Sequence, residues 1–202
     1  MHKITVFLLL LSIATPAFGD ATSSQSAPEG MVAIPAGSFE MGSRRSFMEL
    51  NPTTIFQNDR HMLGPEDPTH EVITHAYFVD RTEVTNAQYA TCVTDTVCTP
   101  PQSPNATYHP AYYGDPAYDE YPVIFVNWHQ AQQFCEWRGG RLPTEAEWEF
   151  AAGFWIAAAE KTTYPWGNAM PEAVANFCDV NCSRDLRDPN FNDEFSDTAA
   201  VT

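Results

Sequence analysis

Residues 121–153, YPVIFVNWHQAQQFCEWRGGRLPTEAEWEFAAG, pack two helix starts and three of the chain's five tryptophans into one short run. The first start is Asn127, with Gln130 three residues on. Asn accepts a hydrogen bond from a first-turn N–H, and Gln reaches back to the cap backbone. The helix that follows carries Trp128, Ala131, Phe134 and Cys135 on one face, by their i, i+3, i+6, i+7 spacing. Gly139 and Gly140 end it, because glycine enters the left-handed region at little cost. The second start is Thr144 with Glu147, leading into Ala146, Trp148, Phe150 and Ala151 and stopping at Gly153. The connector Arg141-Leu142-Pro143 holds the two helices close.

The segments around this run are short and irregular. Residues 31–41 (MVAIPAGSFEM) predict two short strands around a Pro35-Ala36-Gly37 turn. Residues 43–70 predict a long surface loop with Pro52, Pro65 and Pro68. Residues 71–79 (EVITHAYFV) are rich in β-formers and predict one strand. Thr85 and Gln88 form a third capping box, opening a helix that carries Ala87, Tyr89, Ala90 and Val93. The proline- and tyrosine-rich residues 99–120 exclude a regular helix. Tyr164-Pro165-Trp166-Gly167-Asn168 predicts a turn, and residues 176–197 form a loop crowded with Asn and Asp. Asn105-Ala106-Thr107 and Asn181-Cys182-Ser183 are glycosylation sequons, meaningful only in a host that glycosylates.

The N-terminus carries a targeting pattern. Lys3 precedes a short apolar run, Ile4 to Ile13, and Ala17-Phe18-Gly19 sets small residues at the −3 and −1 positions of a cleavage site. That run is too short to span a bilayer. The expected organisation is a signal peptide over residues 1–19 cleaved after Gly19, a flexible leader over 20–30, and one domain over 31–202. The product is expected to be secreted or periplasmic, with no membrane association after cleavage. Apolar residues make up 44% of the 202, enough for one core. A formal net charge of −16 argues against nucleic acid and anionic membrane as partners.

Five cysteines in an oxidising compartment leave several connectivities open. Local spacing lets Cys92 and Cys98 close one short loop and Cys178 and Cys182 another, and structural disulfides are the favoured reading of both pairs. Cys135 on its apolar helix face reads as a small buried hydrophobe. His2, His61, His70, His75, His109 and His129 show no metal-ligand spacing; His70 and His75, five apart on the expected strand, would face opposite sides. Glu145, Glu147 and Glu149 read as first-turn dipole partners and a solvated face. No HExxH, GxSxG, P-loop or GxGxxG occurs.

The pattern VNWxxAxxFCxWxGxRLPTEAEWEFAA, with IPAGxFxMG at residues 34–42, EVTNAQY at 83–89 and YPWGN at 164–168, resembles the formylglycine-generating enzyme family, the sulfatase-modifying factor domains. The resemblance implies an irregular α+β, C-type-lectin-like fold with little regular secondary structure. It implies a copper-dependent oxidoreductase that converts a cysteine of a sulfatase-type polypeptide to formylglycine. A related subgroup consists of nonheme-iron-type oxidases. In the family a TAPV-like stretch, matched here near residues 198–201, is followed by a GNVWEW-type motif, an arginine-rich segment and the reactive cysteine pair. None of these occurs in the sequence, so the domain is expected to be truncated at its C-terminus, with no catalytic residue of its own and low stability alone. The resemblance also implies a partner for Cys135 in that missing part. It places a structural calcium on the Asn176 side chain, the Phe177 carbonyl, the Asp193 side chain and the Phe195 carbonyl, with Asp188 or Asp197 as substitutes for Asp193. The alternative function is a secreted, non-catalytic binding module on the same scaffold.

Overall fold

The computed structural model describes residues 13–14, 26–42, 68–154, 162, 165–167, 175–182 and 187–201. Helix and sheet are mixed, and regular elements are few. The strands are β1 (Ile13–Ala14), β2 (Met31–Ile34), β3 (Gly37–Met41), β4 (His70–Thr74), β5 (Tyr77–Asp80) and β6 (Gly140–Arg141). Among the described residues the α-helices are α1 (Asn86–Thr94), α2 (Trp128–Trp137) and α3 (Glu145–Phe154). The strands form three two-stranded sheets, β1 with β6, β2 with β5 and β3 with β4. The chain divides into two compact units: residues 1–33, 77–143 and 169–202 form one, and residues 34–76 and 144–168 the other.

The first unit holds the main core. α1 starts on Thr85, whose side chain accepts from Gln88 N at 3.2 Å while Gln88 Oε1 accepts from Thr85 N. Two further first-turn donors are met from the tyrosine-rich segment: Asn86 N donates to Tyr121 O and Ala87 N to Asp119 O. α2 repeats the device with Asn127 and Gln130. Its buried residues include Ala131, Phe134 and Cys135, and the first two pack with Val84, Tyr89, Cys92, Cys98 and Val123. Tyr89 stacks on Phe134 at 5.6 Å and donates its hydroxyl proton to Thr99 O. Gln130 is buried but satisfied, donating to Pro100 O at 2.8 Å. Past α2, Arg138 makes a two-pronged pair with the buried Asp80, at 2.9 and 3.1 Å. Gly139 then turns the chain at φ 79°.

In the second unit β3 and β4 run antiparallel, with Phe39 opposite Val72. α3 starts on the Thr144–Glu147 box and packs Phe150 on Phe39 at 5.3 Å. Gly37 permits this approach, since a Cβ there would lie 2.8 Å from the Phe150 ring. Glu149 Oε1 accepts from Gly42 N at 2.9 Å.

Several expectations need correction. Residues 71–79 are two strands, because the chain breaks at His75-Ala76 and each half pairs in a different sheet. His75 thus lies outside the strand that His70 begins. The two strands around Pro35-Ala36 form as expected, β2 pairing with β5 and β3 with β4. The segment 99–120 contains one turn of 3-10 helix, Pro116–Tyr118, where Pro116 sits at the tolerated first position. Trp128 is 53% exposed, although its spacing matches the buried face. It is the first helical residue and its ring lies edge-on to its neighbour His129, at 5.1 Å. Glu145 and Glu147 stand in the first turn of α3 as expected, and Glu147 and Glu149 also accept from the backbone N–H groups of Thr144 and Gly42. The loop expected over residues 43–70 lies outside the described residues up to 67, and the targeting segment does too apart from Ile13–Ala14, which pairs with Gly140–Arg141.

Candidate functional site

All five cysteines are placed. Cys92 bonds to Cys98 with Cα atoms 5.3 Å apart, and Cys178 to Cys182 with Cα atoms 5.0 Å apart. The first ring closes at the end of α1, where Cys98 N donates to Cys92 O and Thr96 adopts φ 61°. Cys135 is a free thiol, fully buried on α2. Burial, and then the Asp80 carboxylate, push its thiol up to about 12. A thiol held there carries almost no thiolate at neutral pH and is inert as nucleophile or ligand.

The second ring organises the carboxylate loop. Asp179, between the two cysteines, is fully buried. Burial pushes its carboxyl up, but hydrogen bonds from Asp193 and Asn181 outweigh that and hold it below the ordinary carboxylate value. Its Oδ1 accepts from Asn181 N at 2.7 Å and its Oδ2 from Asp193 N. Asp193, buried beside it, accepts from Phe177 N at 3.0 Å and from Phe195 N at 2.8 Å. Asn176 Nδ2 donates to Asp197 O at 3.2 Å. Residues 176–177 and 193–195 are thus side by side. Asp188 and Asp197 are engaged elsewhere: Asp188 Oδ1 accepts from Asn190 N, and Asp197 Oδ2 from Thr107 N. Among the described residues no group of three or more His, Cys, Asp or Glu is placed to hold a metal ion. No helix among them is long and apolar enough to cross a membrane.

Sequence reasoning did not single out Asp179. The available signal was an Asp two residues before Asn181 inside a four-residue cysteine spacing, a pattern that turns the carboxylate onto its own backbone. The tyrosine-rich segment was read only as non-helical. With Tyr121 it forms a ring cluster in which Tyr112 and Tyr118 meet tilted, Tyr121 lies edge-on to both, and Tyr118 Oη lies 3.0 Å from His109 Nδ1. Tyr112 donates to Pro122 O at 2.7 Å, and burial pushes its hydroxyl up to about 12.

Residues 17–202 match the sulfatase-modifying factor enzyme 1-like domain, and the chain belongs to that family. It is 30% identical to the formylglycine-generating enzyme of Thermomonospora curvata over 195 residues, covering 78% of this chain and 59% of that protein. It is 35% identical to the serine/threonine-protein kinase pkn1 of Chlamydia pneumoniae over 134 residues, 55% of this chain and 19% of that protein. It is 53% identical over 49 residues to the inactive C-alpha-formylglycine-generating enzyme 2 of Bos taurus, 24% of this chain and 15% of that protein. Hercynine oxygenase of Mycolicibacterium thermoresistibile is 29% identical over 138 residues, 58% of this chain and 31% of that protein. The chain therefore spans less than two thirds of each of these relatives.

Proposed function

We propose that the protein carrying this chain is an oxidoreductase of the formylglycine-generating type, acting on a cysteine of a sulfatase-type polypeptide. In this reading residues 31–202 supply scaffold and not the reactive thiols. The observation behind that division is the state of the cysteines: four are closed into disulfides and the fifth is buried with its thiol pushed up to about 12. Copper(I) takes soft thiolate ligands. The thiols present do not fit such a centre, and no step through copper is assigned to them. The oxidising centre then belongs to sequence outside these 202 residues. Support for the oxidase itself is family membership and the similarity to the T. curvata enzyme. A C-type-lectin-like arrangement of the whole domain and passage through a secretory route belong to the same reading.

The loop 176–195 is the proposed place of a structural calcium, on the Asn176 side chain, the Phe177 carbonyl, the Asp193 carboxylate and the Phe195 carbonyl. These are hard oxygen donors of the kinds calcium takes. The buried Asp193 carboxylate lies against the backbone N–H groups of Phe177 and Phe195. Calcium would tie the two ends of the loop together and neutralise part of its charge. A rise in melting temperature with added calcium, reversed by a chelator, is expected; an unchanged transition would remove the ion from the account.

The second reading is a secreted, non-catalytic module. The absence of a ready thiol pair among the five cysteines favours it, as does the similarity to an enzyme named inactive. The test is a copper-loaded assay of the full-length protein on a CxPxR peptide, read by mass spectrometry. Formylglycine product supports the oxidase; no product from copper-replete, folded full-length protein leaves the binding module.

A further inference from the structure

We propose that the Cys178–Cys182 disulfide is a thiol-exchange site that locks residues 188–195 of the carboxylate loop in place. Three ties run from inside its ring to residues 191–193. Val180 N donates to Phe191 O, Asn181 Nδ2 to Asn192 Oδ1 at 2.8 Å, and Asp193 N to the buried Asp179 carboxylate. Cys178 O itself accepts from Asp188 N at 2.9 Å. Asp193, fixed by Asp179, in turn accepts from Phe177 N and Phe195 N. The order is therefore hierarchical: the disulfide holds Asp179, Asp179 holds Asp193, and Asp193 closes the loop on residues 177 and 195. Among the described residues, Phe177 and Phe191 pair their rings edge-on across the loop, 5.3 Å apart.

The two disulfides differ in access. Cys92 and Cys98 are 0% and 5% exposed inside the core, whereas Cys178 and Cys182 are half-buried in a surface loop. Exchange needs a thiolate to reach a sulfur in line, so access decides which bond reacts first. One thiolate of a dithiol reductant attacks a sulfur of the Cys178–Cys182 pair; that bond breaks and the displaced cysteine leaves as a thiolate. The reductant's second thiol then attacks the mixed disulfide and releases the other cysteine. Two electrons and two protons pass to the cysteine pair, and the reductant leaves as its own disulfide. Asp179 lies inside the ring with Asp188 and Asp193 bonded to its neighbourhood, so an uncharged dithiol approaches more readily than anionic glutathione. Once the bond opens, Asp179 is no longer held against Asp193 N. The lock is a property of the apo loop and stands apart from the calcium reading.

The test is a dithiothreitol titration of the native protein without calcium, trapped with iodoacetamide and read by peptide mass spectrometry and hydrogen exchange. Cys178 and Cys182 should alkylate at reductant concentrations at least about tenfold below those needed for Cys92 and Cys98. Exchange over residues 188–195 should then quicken by about tenfold or more, while residues 86–98 stay unchanged. The Cys178→Ser/Cys182→Ser protein should show the same fast exchange without reductant. Simultaneous opening of both disulfides, prior opening of Cys92–Cys98, no reduction short of global unfolding, or unchanged exchange over 188–195 after reduction would each overturn the proposal. Because no metal is present, a failed calcium shift and a failed lock are read separately.

Discussion

The α1–α2 core and the carboxylate loop are each closed by a short disulfide, yet they are stabilised by different physics. Around Cys92–Cys98 the neighbours are Tyr89, Phe134, Ala131 and Val84, all essentially removed from water. Their burial is the main favourable contribution, and the helix caps and the Arg138–Asp80 pair fix the geometry. Around Cys178–Cys182 the contacts are carboxylates taking backbone N–H groups. Those bonds depend on ionised carboxylates and on a more accessible disulfide, so the loop should respond to acid and to thiols before the core does. A core of this kind reports mainly on the fold, while the loop is where conditions can change the structure.

The largest effect should come from emptying the core. Phe134→Ala removes a fully buried ring stacked on Tyr89 and should cost about 3–5 kcal/mol in urea unfolding. Removing the core disulfide as Cys92→Ala/Cys98→Ala should cost about 2–4 kcal/mol, with a lower denaturant midpoint. A cost near zero for either would mean that the core is not the unit that unfolds cooperatively. Thr85→Ala deletes one half of a capping box and should cost about 1 kcal/mol.

Titration sharpens the contrast from both ends. Asp179 has its carboxyl depressed in the folded chain, so its contribution is present above the ordinary carboxylate value and is lost as pH falls through the lower folded value. Acidification below about pH 4 should therefore raise hydrogen exchange in residues 188–195 before it touches α1 or α2. Asp179→Asn should reproduce that rise at neutral pH. The core behaves oppositely. Tyr89 and Tyr112 are raised from 10.0 to about 12, and Cys135 from 9.0 to about 12, chiefly by burial. Their contribution is complete below the unfolded values and is lost as pH rises through 9–12, so an alkaline absorbance titration should show late tyrosine ionisation coupled to unfolding. Tyrosines that all ionise near pH 10 without unfolding would contradict the packing.

How much of this was legible in the sequence follows the same division. Helix caps are local, and the boxes at Thr85, Asn127 and Thr144 could be read from spacing alone. The α2 face was readable at Ala131, Phe134 and Cys135, and failed at Trp128, where helical period says nothing about which end is covered. Strand pairing is non-local. No pattern in residues 31–41 says that β2 goes to β5 and β3 to β4, or that the chain breaks at His75-Ala76. Both disulfides followed from spacing. Asp179 did not, because a buried carboxylate looks like any loop Asp until the Asp193 N–H that satisfies it is in place. Residues 176–177 and 193–195 were paired by family likeness, since 16 positions of separation carry no local signal.

The central claim is that the oxidised chain presents no free thiol pair able to hold copper: four cysteines are closed into disulfides and the fifth is buried. It is tested most directly by counting thiols with an uncharged aromatic disulfide reagent on oxidised, metal-free protein. The account predicts no reactive thiol in the native chain and one, Cys135, after denaturation without reductant. Two or more thiols reacting in the native state would contradict it and return the oxidising centre to this part of the protein.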